Sequence, residues 1–230
     1  MGDLAVILPA AGQSSRFGGP VSKIHAMLRG RSVLHHSLSA FLRRGDVGQI
    51  VIPTRVGAGG LADGLESVRD LLGNARIELC AGGASRAHSV RLALHRVRPD
   101  IEWIAVHDAA RPLISDELID RTLSEARRRG AAAPGLAVAL TIKEAIGPLP
   151  AVVLRTTPRQ SLWAMQTPQI MRRTDLISAF DCCPIPLDQV TDDLQMLELA
   201  GKPVWLVPGE ERNLKITTAM DLKIAEFFLE

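Results

Sequence analysis

The 230-residue chain has no tyrosine, and aromatic residues make up only 3% of it. A single-stranded nucleic-acid platform stacks bases on exposed rings, so this scarcity argues against one. Three cysteines cannot form a disulfide framework and point to a reducing compartment. Long apolar runs are missing too. Residues 4–8 are too few for a signal-peptide core or a membrane span, and no charged-then-apolar leader precedes them. Charge imbalance is also absent. Lys and Arg number 27 against 25 Asp and Glu, a net +2, which excludes a polybasic nucleic-acid coat and leaves room for a local basic pocket. There is no internal repeat or low-complexity tract. These absences predict a cytoplasmic protein without nucleic-acid or membrane partners.

Hydrophobic residues make up 47% of the chain, enough for a sizeable core, and the length suits one α/β unit over residues 1–230. Short apolar runs alternate with helical patterns. Strands are expected at 4–8, 49–52, 77–80, 103–106, 131–136, 138–142 and 204–207. Helices are expected at 32–43, 61–72, 89–98, 115–129, 174–180, 192–200 and 222–229. The first helix carries Val33, Leu34, Leu38, Phe41 and Leu42 on one face. Ser115 can cap a helix whose apolar face is Leu118, Ile119, Thr122, Leu123 and Ala126. Strand, loop and helix in repetition predict a Rossmann-like α/β/α sandwich on a mostly parallel sheet. In such sheets ligands bind beyond the carboxyl ends of the strands.

The strand ends carry unusual residues. After the first strand stand Pro9, Ala10, Ala11 and Gly12, then Arg16 and Lys23. This is neither a Walker A loop nor a dinucleotide fingerprint, but small residues let backbone N–H groups approach a phosphate or a base. The loop also reads as a plain turn with two solvated cations. After the third strand come Gly82 and Gly83, with Ser85, Arg86 and Ser89 opening a helix. Backbone contact to a flat base or an ordinary capped turn would each account for that pattern. After the fourth strand stand His107, Asp108 and Arg111. Asp suits a hydroxyl or a metal and Arg a phosphate fork, or the two pair and fix the loop. Thr191 and Asp192 suit a helix N-cap. Trp163 is expected in the core and His35 and His36 on the surface. Lys215, between Leu214 and Ile216, points away from both in an extended segment, toward the crevice.

In order, these motifs are PAAG with Arg16 and Lys23, GGA-x-R-x-x-SV, VHDAARP, TIK, R-x-x-LW-x-x-QTPQ, TDD and N-x-KIT. The series resembles the 2-C-methyl-D-erythritol 4-phosphate cytidylyltransferase family along almost the whole chain. The resemblance implies that Arg16, Lys23, Arg159 and Lys215 are catalytic cations. The first two would act on the nucleotide phosphates and the last two on the attacking phosphate. It implies that Ala10, Ala11, Gly12, Gly83 and Ser89 line the cytidine site, and that Asp108, Arg111, Thr141 and Thr191 hold the sugar phosphate. It also implies a homodimer, in which an arm at about 141–159 reaches into the partner's site.

The attacking group would be a phosphate monoester, already anionic, so the reaction needs positioning and charge neutralisation rather than a general base. Mg²⁺ would be held mainly through the CTP phosphates, since the sequence offers no carboxylate cage and no histidine metal spacing. Three positions depart from the family: Leu140 replaces its arm aspartate, Ser14 replaces a loop glycine, and Ile24-His25 follows Lys23. On an extended arm, Leu140 would face away from Thr141 and toward the arm's own packing. The rivals are a cytidylyltransferase for another polyol phosphate, such as ribitol 5-phosphate, and a non-catalytic nucleotide-binding homologue.

A slot built from residues 9–12 and Gly83 should fit cytosine through main-chain hydrogen bonds and exclude the larger purine ring. Pyrophosphate release should therefore be far faster from CTP than from ATP, and equal rates would sink this reading of the slot.

Overall fold

The computed structural model describes residues 2–12, 17, 22–57, 59–61 and 65–229. The first half runs β1 (Leu4–Ile7), β2 (Met27–Leu28), β3 (Arg31–Ser32), α1 (Val33–Leu42), β4 (Val47–Thr54), α2 (Arg69–Leu72), β5 (Ile77–Ala81), α3 (Arg86–Leu94) and β6 (Trp103–Val106). The second half runs α4 (Asp116–Arg129), β7 (Ala131–Ala137), β8 (Ile142–Ile146), β9 (Val152–Thr157), β10 (Trp163–Met165), β11 (Gln169–Arg172), α5 (Arg173–Asp181), α6 (Asp193–Leu199), β12 (Trp205–Pro208) and α7 (Ala219–Phe227).

Eight of these strands form one sheet. β5, β4, β1 and β6 lie side by side and parallel. β11 then runs antiparallel between β6 and β7. β12 lies along the other side of β7, because Ala132 pairs with both Ile170 and Trp205, and Gly135 with both Met165 and Pro208. β10 and β11 thus share one lane, the antiparallel lane of this eight-stranded sheet. The parallel strands aim their carboxyl ends to one side, and the connections between β1, β4, β5 and β6 are the crossovers that βαβ units require.

Alternation along the strands makes the three layers. Leu4, Val6 and Leu8 pack with Leu34, Leu38, Phe41, Leu118 and Leu123 on one face. Ala5 and Ile7 pack with Val90, Leu94, Leu176 and Leu197 on the other. Both faces of β1 are wholly buried, as a central parallel strand demands. α4 is held by its own sequence: Ser115 accepts the N–H of Leu118, Asp116 and Glu117 occupy the first turn, and Arg127, Arg128 and Arg129 occupy the last. Acid at the amino end and base at the carboxyl end both favour the helix dipole. All five expected core positions of α4 are buried.

The arm is where the structure departs most from expectation. β7 ends at Ala137 and β8 begins at Ile142, so the expected strand at 138–142 is broken. β8 and β9 pair only with each other. Leu140 is 77% exposed and packs into no core, which corrects the expectation that it supports the arm. Ile146, Leu149, Val152, Val153 and Leu154 are exposed as well. Elsewhere the described part of the expected helix at 61–72 holds a 3₁₀ turn at Glu66–Val68 followed by the single turn of α2, and residues 62–64 lie outside the described residues. Trp163 is exposed rather than in the core. His35 is buried, with Nε2 3.2 Å from Asp70, because its helix face turns inward there.

Leu38→Ala, at a wholly buried site, should cost about 2–5 kcal/mol of stability. Leu140→Ala should stay within about 0.5 kcal/mol. Urea unfolding of the two variants beside the parent checks the contrast.

Candidate active site

The carboxyl ends of β1, β4, β5 and β6 open into a cleft of about 850 Å³, within the range of small-molecule sites. Its floor is made of small residues: Pro9 to Gly12 after β1, and Gly82 to Ala84 after β5. Gly82 packs closely against the first loop, and Gly83 against the start of its own helix. A Cβ on Gly82 would lie 2.3 Å from that of Ala11, and one on Gly83 would lie 2.5 Å from that of His88, so neither position admits a side chain. Ser89 lines the cleft and shapes the loop: its hydroxyl accepts from the Gly83 N–H and donates to the Ser85 carbonyl. Ser85 caps α3 by accepting from the His88 N–H.

Charge is concentrated on the walls. Lys23, Arg55, Arg86, Asp108 and Lys215 all line the cleft. Lys215 Nζ lies 2.8 Å from Asp108 Oδ2, and Arg86 Nε lies 3.4 Å from Oδ1. Arg111 Nε stands 3.6 Å from Oδ2. Burial works against the Asp108 carboxylate, but Arg86, Lys215 and Arg111 outweigh it and hold its pKa well below the usual carboxylate range. Arg86 also reaches Asp193 Oδ2 at 2.6 Å, across to the start of α6. At Asp193 burial dominates over Arg86 and pushes the pKa up. Arg86 therefore pins the loop after β5 to the loop after β6 and to the start of α6.

The motif residues behind the wall tie its segments together. Arg111 donates through Nη1 to the Asn213 carbonyl at 2.7 Å and through Nη2 to the Met165 carbonyl at 3.3 Å. Gln166 exchanges two bonds with the Glu210 backbone, donating at 2.8 Å and accepting at 3.1 Å. Gln169 donates to Asp192 and accepts from the Asp193 N–H, fixing the start of α6. The Ile216 N–H donates to the Ala110 carbonyl and sets Lys215 over the cleft.

The expected site residues thus fall into three groups. Lys23, Lys215, Ala10, Ala11, Gly12, Gly83, Ser89 and Asp108 meet in the cleft. Arg111, Thr141, Arg159 and Thr191 are not on its walls. Arg111 is buried and its Nη groups serve backbone carbonyls, so here it braces the Lys215 segment rather than presenting a phosphate fork. Thr141 and Arg159 are exposed at the base of the arm, where Arg159 Nη1 donates to the Ala139 carbonyl. Thr191 is exposed and bonds to Gln195, while Asp192 supplies the cap of α6. Arg16 and Ser14 lie outside the described residues. Arg55 and Arg86 went unassigned from sequence. Arg86 could have been found from its place at a helix start after two glycines, but Arg55 carries no such signal.

No group of three or more His, Cys, Asp or Glu that could hold a metal occurs among the described residues. Asp108, the one carboxylate on the cleft wall among the described residues, is already ion-paired. This donor set fits a divalent cation that arrives bound to phosphates. No described helix is long and apolar enough to cross a membrane.

Fold and cleft together define an α/β protein with a cation-walled small-molecule site at the ends of its parallel strands. Comparison with known proteins makes the assignment specific. The profile of the family described as IspD, 2-C-methyl-D-erythritol 4-phosphate cytidylyltransferase, matches residues 4–230, and the chain belongs to that family. The enzyme of that name from Solibacter usitatus is 37% identical, over 98% of this chain and 95% of its own length. The bifunctional IspD/IspF enzyme of Rhodospirillum rubrum is 38% identical over 98% of this chain, which spans 57% of that protein. Among solved structures, the Francisella tularensis 2-C-methyl-D-erythritol 4-phosphate cytidylyltransferase superposes with a TM-score of 0.82 at 28% identity, covering 98% of this chain and 99% of that one. The Thermus thermophilus enzyme superposes with a TM-score of 0.78 at 31% identity, covering 97% of each chain.

One pH dependence follows from this region. Burial lowers the His107 pKa from 6.5 to about 4. Between those values the unfolded chain binds more protons than the folded one, so stability is full above the unfolded value and falls as pH drops through this window. The loss should reach about 3 kcal/mol at 1.36 kcal/mol per pKa unit. Urea unfolding at about pH 7 and about pH 4.5 should show it, and His107→Gln should flatten the slope.

Proposed function

We propose that this chain transfers a cytidylyl group from CTP to 2-C-methyl-D-erythritol 4-phosphate, releasing pyrophosphate, in the synthesis of isoprenoid precursors. The observation that carries this reading is the pairing of a small-residue floor with a cation wall around Asp108, in a chain matched by the family along residues 4–230. The floor suits a flat pyrimidine held by backbone groups. The wall suits a triphosphate and a second phosphate.

In the step itself, an oxygen of the polyol phosphate attacks the α-phosphorus of CTP, and the bond to pyrophosphate breaks. The nucleophile is anionic near neutral pH, so no side chain needs to remove a proton. His107 could not serve as a base in any case, because both ring nitrogens are engaged and the ring is wholly buried. Lys23 and Arg16 would offset the charge of the nucleotide phosphates. Lys215 would hold the attacking phosphate, and Asp108 would accept hydrogen bonds from polyol hydroxyls. Preorganised charges of this kind are the main source of rate in phosphoryl-type transfer. Mg²⁺, brought in by CTP, would neutralise the triphosphate, with no dedicated protein cage.

Arg159 and Thr141 fit this scheme through a homodimer. They stand on an arm whose apolar side chains are exposed. An arm that crosses to a second copy would cover those side chains and carry Arg159 and Thr141 toward the partner's cleft, completing the polyol side of the site.

Lys215→Ala and Arg159→Ala should each lower turnover about 10²-fold, the scale of one preorganised charge. CTP affinity by calorimetry should change far less. Mixing the two inactive variants tests the shared site: random pairing would give heterodimers with one intact cleft each, and roughly a quarter of the parent activity should return. Pyrophosphate release with ribitol 5-phosphate matching that with the methylerythritol substrate would instead favour the other polyol.

A further inference from the structure

His107 directly follows β6 and is wholly buried, with the Phe41 ring edge-on at 5.1 Å. Its two nitrogens are both occupied. Nε2 lies 3.1 Å from the Arg111 carbonyl, and Nδ1 lies 3.0 Å from Thr167 Oγ1. A carbonyl only accepts, so Nε2 carries the proton. A neutral imidazole then has Nδ1 as its acceptor, and the Thr167 hydroxyl must donate to it. The same hydroxyl oxygen accepts the Asp108 backbone N–H at 3.0 Å. Every direction in this chain of bonds follows from one assignment.

The relay reaches both charged groups at the polyol side of the cleft. It fixes the Asp108 backbone directly. It reaches Lys215 through the same threonine, whose carbonyl accepts from Asn213 Nδ2 at 2.9 Å, two residues before the lysine. Arg111, whose carbonyl ends the relay, donates back to the Asn213 carbonyl. Thr167 is only 4% exposed and does not line the cleft, so neither it nor His107 can touch a substrate there.

We propose that His107 and Thr167 are positioning residues: the hydroxyl relay between them sets the Asp108–Lys215 pair in the geometry that receives the polyol phosphate. This rests on the cytidylyltransferase reading. The relay acts on the acceptor substrate and leaves the nucleotide alone, because the floor at residues 9–12 and 82–84 belongs to other loops.

Thr167→Val keeps the shape and removes the hydroxyl. Two buried groups, the Asp108 N–H and His107 Nδ1, then lose their partner. The KM for 2-C-methyl-D-erythritol 4-phosphate should rise about tenfold and kcat should fall, since unsatisfied buried groups cost on that scale. CTP affinity by calorimetry should hold to about twofold, and Thr167→Ser should restore both kinetic constants. A folded Thr167→Val enzyme with parent constants would overturn the proposal. So would a parallel loss of CTP affinity, which would mark general loosening. Imidazole ¹⁵N shifts of the parent protein give a test that needs no variant: the proposal requires the Nε2–H tautomer at neutral pH, and an Nδ1–H tautomer overturns it. An inactive parent chain would instead refute the cytidylyltransferase reading.

Discussion

A carboxylate that is nearly out of water, at the end of a central strand, organises this molecule. Asp108 would resist burial alone, and it stays ionised because Arg86, Arg111 and Lys215 converge on it from three separate segments. Removing one partner from such a cluster costs more than the pair itself contributes, because a buried charge is left behind. Each segment is therefore committed to its place by the same group. Arg86 carries the restraint on to Asp193 and the start of α6. Within the cluster three cations face two carboxylates, Asp108 and Asp193, so the balance favours an anion.

This explains why the chemistry-bearing motifs are longer than the chemistry requires. Of the Gln166, Thr167 and Gln169 side chains, none lines the cleft, yet they anchor the Glu210, Asp108 and Asp193 backbones. The asparagine two residues before Lys215 does similar work on Thr167. A phosphate-handling lysine on an irregular segment needs such anchoring, because it has no ladder of its own to hold it.

Much of the fold was readable because central elements obey simple periods. The unbroken apolar run of Leu4 to Leu8 reports a strand buried on both faces, and the 3.6-residue spacing of α4 reports one buried face. The strand-end rule then pointed to Asp108 and the small-residue floor, and alternation between Leu214 and Ile216 turned Lys215 toward the same cleft. The strands of the arm were not readable from periodicity, since β8 and β9 bury nothing within the chain and so carry no two-residue alternation; the arm was expected from the family resemblance alone. Arg86 was missed for a different reason. Its partners lie 22 and 107 residues away, and an ion pair between distant segments leaves no local pattern. His35 misled by its neighbour: two adjacent histidines suggested solvent, but a helix turns by about 100° per residue and can bury one of them. The loop arginine Arg16 lies outside the described residues, so its place beside Lys23 rests on the family pattern.

The base of the arm has a consequence for how this fold can vary. Ala137 and Trp163, the residues on either side of the insertion, are direct antiparallel neighbours, and the Val138 N–H donates to the Leu162 carbonyl just beyond them. The sheet is thus already closed beneath the insertion. Twenty-odd residues could be exchanged for a tight turn, or for a longer hairpin, without breaking a rung of the ladder, and loop length itself carries only a slow entropic cost. The arm is a structural module: its hairpin between Thr141 and Arg159 can diverge in length and sequence, while those two residues at its base stay tied to the chemistry of the cleft.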